Sequence, residues 1–161
     1  MKLIKLITTE TIETLVCLNN KFVPAVNRLK PSDLRHIVTQ AKYGLCLTVE
    51  GNVAGFILAL EPGANYQSQN YQWFEKRYSE YLYIDRIVID KKYQSCGYGQ
   101  LLYNRLKDMN KSNICRFTCE INIKPKNPRS LKFHCDYGFN PVGSQLIDNA
   151  KKQVLLMELL L

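Results

Sequence analysis

A mixed α/β domain of three layers is the fold class this sequence predicts. Strand-like stretches alternate with stretches of helical period along the chain. One nearly unbroken apolar stretch, YLYIDRIVI, reads as a central strand covered on both faces. The 161 residues, 46% of them hydrophobic, suit one domain with a sizeable core. No linker, repeat or low-complexity tract divides them, so residues 1–161 read as a single domain.

The elements follow in order. LIKLI is a first strand, and Thr8, Thr9 and Glu10 start a helix over residues 9–19. Pro24 and Pro31 break the next loop; Ser32 and Asp33 open a second helix to about Lys42, which Gly44 ends. LCLTVE and VAGFILAL flank Gly51-Asn52, a hairpin signal. Pro62-Gly63 breaks the second of these strands, and a short helical piece is expected over residues 70–78. The central strand comes next. Tyr98, Leu102, Leu106 and Met109 then share one helical stripe. ICRFTCEINI is a strand. Asn127 caps a helix with Pro128 at its first position and Gly138 at its end. FNPVGSQLI and KQVLLMELLL close the chain as strands. The Leu-rich last strand either buries into the core or pairs across a homodimer.

The net charge of +8 admits a phosphate-bearing partner, but the basic runs are short, so nucleic acid is not the expected one. The six cysteines form no Cys-x-x-Cys pair, and His36 and His134 lie far apart, so no metal site is expected. No apolar run approaches a membrane span, and MKLIKLITTE, interrupted by Lys5, is too short for a signal peptide. A cytoplasmic protein with reduced thiols is the expectation.

QSCGYGQ, Gln94 to Gln100, follows the central strand and precedes a helix. Helix first-turn amides lack intrahelical partners and the dipole favours an anion there. Gly97 and Gly99 let the backbone approach a phosphate, and the Gln94 amide is placed to help. A Gly-Lys-Ser/Thr sequence is absent, as is the third glycine of a dinucleotide turn, so neither of those phosphate folds applies. A Gly-x-Gly alone also fits a tight structural turn.

The context narrows the choice. Gln94, Ser95, Cys96, Gly97, Tyr98 and Gly99 resemble the acyl-CoA-binding signature Q/R-x-x-G-x-G/A of the GNAT acyltransferase superfamily. NPRSLKFHCDYGF resembles that family's later helix through Asn127, Ser130, Phe133, Gly138 and Phe139. The element order is similar across nearly the whole chain. More narrowly, EPGANYQSQNYQWFEKRYSEYLYIDRIVI with FHCDYGF resembles a poorly characterised subgroup of predicted GNAT acetyltransferases with FH in place of FY. The resemblance implies a central, mostly antiparallel sheet flanked by helices, acetyl-CoA as cosubstrate, and direct acetyl transfer to an amine.

It also implies a division of labour. The diphosphate would sit on residues 94–100 and the pantetheine arm would pair with Ile87, Val88 and Ile89. Asn127, Ser130, Phe133 and His134 would line the arm. The family's usual tyrosine after Phe133 is His134 here. An imidazole of reference pKa about 6.5 suits proton donation to the CoA thiolate; hydrogen bonding to CoA or packing beside it is its other reading. Tyr137 is a substitute donor, or a core residue beside Phe133. Asp85, a carboxylate in an apolar strand, is a base, an ammonium anchor or a structural ion pair, with adjacent Arg86 expected on the opposite face. Glu120 is the second candidate base, although the chain is longer than is common in the family between Glu120 and Asn127. Asn20, Tyr66, Tyr71, Trp73 and Asp85 are the expected substrate contacts, some of the aromatics being core instead. A small-molecule amine is the expected acceptor, a peptide or protein amine the alternative, and a non-catalytic CoA- or nucleic-acid-binding module the third reading.

Overall fold

Strand β1 (Lys2–Leu6) leads into a 3-10 turn at Thr9–Thr11 and helices α1 (Ile12–Asn20) and α2 (Pro31–Gln40). Strands β2 (Tyr43–Val49) and β3 (Asn52–Leu60), helix α3 (Gln69–Glu75) and strand β4 (Leu82–Ile89) follow. After a 3-10 turn at Lys91–Tyr93 come α4 (Tyr98–Met109), β5 (Arg116–Lys124), α5 (Pro128–Tyr137), β6 (Asn140–Ile147) and β7 (Lys152–Leu160). The structure, a computed structural model, describes residues 1–110 and 114–161. The fold is mixed α/β: a seven-stranded, mostly antiparallel sheet in the order β1-β2-β3-β4-β5-β7-β6, with five helices. Among the described residues no helix is long and apolar enough to cross a membrane.

The chain groups into two compact units. One holds Met1–Leu60 and the stretch beginning at Ile84; the other holds Glu61–Tyr83 and the C-terminal stretch ending at Leu161.

In the first unit β1, β2 and β3 form an antiparallel meander. Every residue of β3 from Ala54 to Leu60 is buried. Successive side chains alternate faces, so this strand is covered on both. Helices α1, α2 and α4 all pack on it. Leu15, Leu34, Leu47, Phe56, Leu58, Leu102 and Leu106 make its core.

In the second unit β7 pairs antiparallel with both β5 and β6. The Leu-rich last strand is thus buried within a sheet, through Val154, Leu156 and Met157. Leu82 and Tyr83, the start of β4, pair in parallel with Phe117 and Thr118. An aromatic cluster of Tyr71, Phe74, Tyr81 and Tyr83 is fully buried here.

Several boundaries differ from expectation; α3, for one, ends at Glu75 rather than at residue 78. Helix α2 begins at Pro31, not Ser32, because the Asp33 carboxylate reaches back to accept the Lys30 backbone N–H at 2.8 Å. Gly44 does not end that helix; Ala41 does, in extended backbone, and Gly44 lies within β2. The hairpin turn is Glu50-Gly51, at φ 50° and 80°, one residue earlier than the sequence pattern suggests. The caps of α5 are as expected: the Asn127 side chain accepts the Ser130 N–H, and Gly138 ends the helix at φ 112°.

Candidate active site

In the first unit, β4 delivers the chain to the glycine turn. The Asp90 N–H donates to the Ala54 carbonyl at 2.9 Å, continuing the strand past Ile89. Gly55 permits close approach to β4: a Cβ there would lie 2.6 Å from the Val88 carbonyl oxygen. Asp90 then caps the 3-10 turn through the Lys92 N–H and pairs with Lys21 at 3.1 Å. That amide first, and Lys21 second, hold the Asp90 carboxyl below its usual range.

Gln94 has a role other than the one expected. Its side-chain amide donates to the Ile89 carbonyl at 2.9 Å, so it ties the turn back to β4. Ser95 and Gly97 both take left-handed backbone, at φ 61° and 77°. Gly97 is the N-cap of the twelve-residue α4, and a Cβ on it would meet nothing within 4 Å. The turn is therefore open above its glycine. Helix geometry leaves the Tyr98, Gly99 and Gln100 amides without intrahelical acceptors at the positive end of the dipole. The exposed Cys96 flanks them. Tyr98 is mostly buried beside Tyr93, under the Lys2 ammonium. The residues present fit a diphosphate at this turn.

Asp85 and Arg86 do not point apart. Arg86 Nε donates to Asp85 Oδ2 at 2.6 Å, and both side chains are under a tenth exposed. The alternation of strand faces governs Cβ positions, whereas a long guanidinium stem curls back to a neighbouring charge. Arg86 also donates to Asn19 Oδ1 at 2.9 Å. Asn19, wholly buried, donates in turn to Asn20 Oδ1 and to the Asn27 carbonyl. Asn20 clamps Leu29 on both backbone groups, at 2.9 Å each. Its amide thus shapes the loop between α1 and α2.

In the second unit the expected aromatic wall is mostly core. Tyr71 is fully buried; its hydroxyl donates to the Glu61 carbonyl at 2.8 Å and accepts the Ala64 N–H at 2.9 Å. Trp73 lies against Gly143, where a Cβ would come within 2.6 Å of its ring, and Arg77 stacks over it at 3.6 Å. Tyr66, half-buried, meets Tyr71 edge-on and lies 6.5 Å from the Tyr83 ring.

Glu120 on β5 stands opposite Leu156 of β7. The Tyr83 hydroxyl lies 2.8 Å from Glu120 Oε2 and 3.0 Å from Oε1, as a donor. After Glu120 a bridge between Ile123 and Lys126 folds the chain into a bend, and the Asn127 N–H returns to the Asn122 carbonyl. Tyr83 was not a site residue in the sequence reading. Strand periodicity shows which face a tyrosine takes, not which carboxylate its hydroxyl meets on a neighbouring strand.

His134 is 3% exposed. Its Nδ1 lies 2.8 Å from the Ser130 carbonyl oxygen, which can only accept, so in the neutral ring the proton is on Nδ1 and Nε2 is the acceptor nitrogen. Burial lowers its pKa to about 4, against the opposing effect of the Ser130 carbonyl. The expectation of a titration near neutrality is thereby corrected: at pH 7 the ring is neutral, with no proton on Nε2 to give. Phe133 meets His134 edge-on at 5.0 Å and stacks with Tyr137 at 6.4 Å. Ser130, His134 and Tyr137 share a face of α5.

A pH effect on stability follows. Folding depresses the His134 pKa, so the unfolded chain binds the proton more tightly. The stabilisation is complete above about pH 6.5 and is lost as pH falls towards about 4, amounting to about 3 kcal/mol. Thermal melts from pH 7.5 to 4.5 are expected to show a steeper fall in Tm for the wild type than for His134→Phe. Parallel slopes would refute it.

Among the described residues no group of three or more His, Cys, Asp or Glu is arranged to hold a metal. The profile of the Acetyltransferase (GNAT) family matches residues 13–139. No curated protein matches the sequence. Solved structures share the fold. Ard1 from Thermoplasma volcanium superposes with a TM-score of 0.78 at 15% identity, covering 99% of this chain and 97% of that one. The ribosomal-protein-S18-alanine N-acetyltransferase from Escherichia coli gives 0.74 at 14%, covering 99% and 94%. Arabidopsis thaliana Naa50, in complex with the bisubstrate analogue CoA-Ac-MVNAL, gives 0.71 at 15%, covering 98% and 97%.

Proposed function

Since the chain belongs to the GNAT acetyltransferase family, which uses acetyl-CoA, we propose that it moves the acetyl group of acetyl-CoA to the primary amine of a small molecule. Residues 1–161 act as one acetyltransferase domain in this reading. The observation that carries it is the open left-handed turn at Gly97, set between β4 and the N-terminus of α4. The amides of residues 97–100 would hold the diphosphate, and the backbone of Ile87, Val88 and Ile89 the pantetheine arm. By the family resemblance Asn127, Ser130, Phe133 and His134 would meet the arm, His134 as a neutral hydrogen-bonding group.

Acetyl-CoA supplies the thioester. Glu120 takes one proton from the acceptor's ammonium, freeing the lone pair that forms the amide bond as the C–S bond breaks. Tyr137 gives a proton to the departing sulfur, since a phenol of ordinary pKa about 10 stays protonated through the neutral range. The nitrogen's second proton restores the Tyr137 phenol by way of solvent, and Glu120 sheds its own proton to solvent, so one proton is released per turnover. Asp85, paired with Arg86, anchors the strand rather than acting as the base. Tyr66, beside the Glu120–Tyr83 pair, supports an acceptor of limited size.

A peptide acceptor is the second reading, favoured by the peptide-bearing analogue in the Naa50 complex. Thiol release from acetyl-CoA would be measured over ethanolamine, tyramine, a diamine, glycinamide and short peptides. Release with a small amine is the expected result. Release with peptides alone selects the second reading. Acetyl-CoA binding without release on any amine overturns both.

A further inference from the structure

We propose that Tyr83 is the positioning residue for Glu120: its phenol holds the carboxylate ionised and fixes its orientation for taking the acceptor's proton. The inference rests on the reading of Glu120 given above. Tyr83 is wholly buried, yet its hydroxyl reaches both carboxylate oxygens, at 2.8 and 3.0 Å. The short parallel ladder of Leu82 and Tyr83 with Phe117 and Thr118 sets the phenol two residues along from Glu120 on the same strand face. The ring is held on several sides, by Tyr66 at 6.5 Å, Tyr71 at 5.4 Å and Phe74 at 6.0 Å. Tyr71 is itself fixed by the Glu61 carbonyl and Ala64 N–H. A ring so packed leaves its hydroxyl little choice of direction.

A hydrogen bond from a neutral phenol favours the charged form of a carboxylate, and a fixed donor restricts its rotation. The groups around Glu120 suit this role. From β4 comes the Tyr83 phenol. On β5 itself the buried Cys119 thiol has its pKa pushed up by burial first and by the Glu120 charge second. From β7 the facing residue is the apolar Leu156.

The test is Tyr83→Phe, which deletes one oxygen and keeps the ring. The first readout needs no acceptor: a carbon-13 titration of the Glu120 carboxyl carbon, assigned with Glu120→Gln. The midpoint is expected about one pH unit higher in Tyr83→Phe than in wild type. The second is the pH profile of kcat/KM with the panel amine of highest turnover. Its acid limb is expected to move to higher pH by the same amount, with kcat lower and KM for acetyl-CoA unchanged. In a Glu120→Gln background, Tyr83→Phe is expected to add no further loss.

An unmoved midpoint, or a full additional loss in that background, overturns the proposal. A purely structural hydroxyl would lower Tm and leave both titrations in place, which also overturns it. If Glu120→Gln turns over like wild type, the reading of Glu120 as proton acceptor fails instead. If no amine on the panel is acetylated, the carbon-13 midpoint still decides the matter.

Discussion

Glu120→Gln is expected to lower kcat/KM by about 10²- to 10⁴-fold at neutral pH while acetyl-CoA binds as in wild type. The amide is nearly the same size as the carboxylate, and its oxygen still accepts the Tyr83 hydroxyl, so the fold is kept. What it loses is basicity. At neutral pH an alkyl amine is almost wholly ammonium, and an ammonium has no lone pair to attack a thioester. The group that takes its proton therefore controls the rate. The defect is expected to shrink as pH rises towards the amine's own pKa, because solution then supplies the neutral form. Steady-state thiol release between pH 6.5 and 9.5, beside calorimetric titration with acetyl-CoA, measures both parts. A variant that keeps wild-type turnover across that range excludes Glu120 as the proton acceptor. A variant that loses acetyl-CoA affinity would point instead to a structural role.

The same chemistry bears on His134. A ring with a pKa near 4 is neutral across that whole range. It contributes neither limb of the profile, in keeping with the proposal that Tyr137 gives the sulfur its proton.

Much of the fold was legible from local signals. Asn127, Pro128 and Gly138 mark α5 because capping is decided within a few residues. The glycine turn was legible for the same reason: a left-handed N-cap between strand and helix needs Gly97 or a residue like it. The chemistry of individual side chains was less so. The reading of His134 began from a free imidazole, whereas its pKa depends on burial at 3% exposure, which no spacing reveals. The sequence points Gln94 at the phosphates, but the Ile89 carbonyl lies within its reach. Asn20, Tyr71 and Trp73 were expected at the substrate. Their polar and aromatic groups instead clamp a loop, pin residues 61–64 and pack on Gly143. Tyr83 was visible only as one more apolar position of a central strand. Its partner is 37 residues away in sequence, so the pairing exists only once two strands lie side by side.

Removing the Arg86 guanidinium is expected to cost more stability than any surface change. Arg86→Leu deletes the cation from a pair whose side chains are 7% and 4% exposed, leaving the Asp85 carboxylate in a low-dielectric site without it. Breaking a buried pair from one side costs about 3–5 kcal/mol. Urea unfolding should show this as a lower midpoint at unchanged slope. Asp85→Asn added to Arg86→Leu is expected to recover much of the loss, because the amide carries no charge to desolvate. A double variant as unstable as the single one would mean that the ion pair does not carry the energy. That bond has its own consequence. Arg86 holds Asn19, Asn19 holds the Asn27 carbonyl, and neighbouring Asn20 holds Leu29. Losing the guanidinium therefore loosens residues 20–29, the loop that Asn20, one of the expected acceptor contacts, holds through Leu29. At a temperature where Arg86→Leu remains folded, KM for the amine should rise more than KM for acetyl-CoA. Equal changes in both would confine Arg86 to stability. An unequal change identifies the buried arginine as the link through which β4 sets the shape of residues 20–29 and, through them, the binding of the amine.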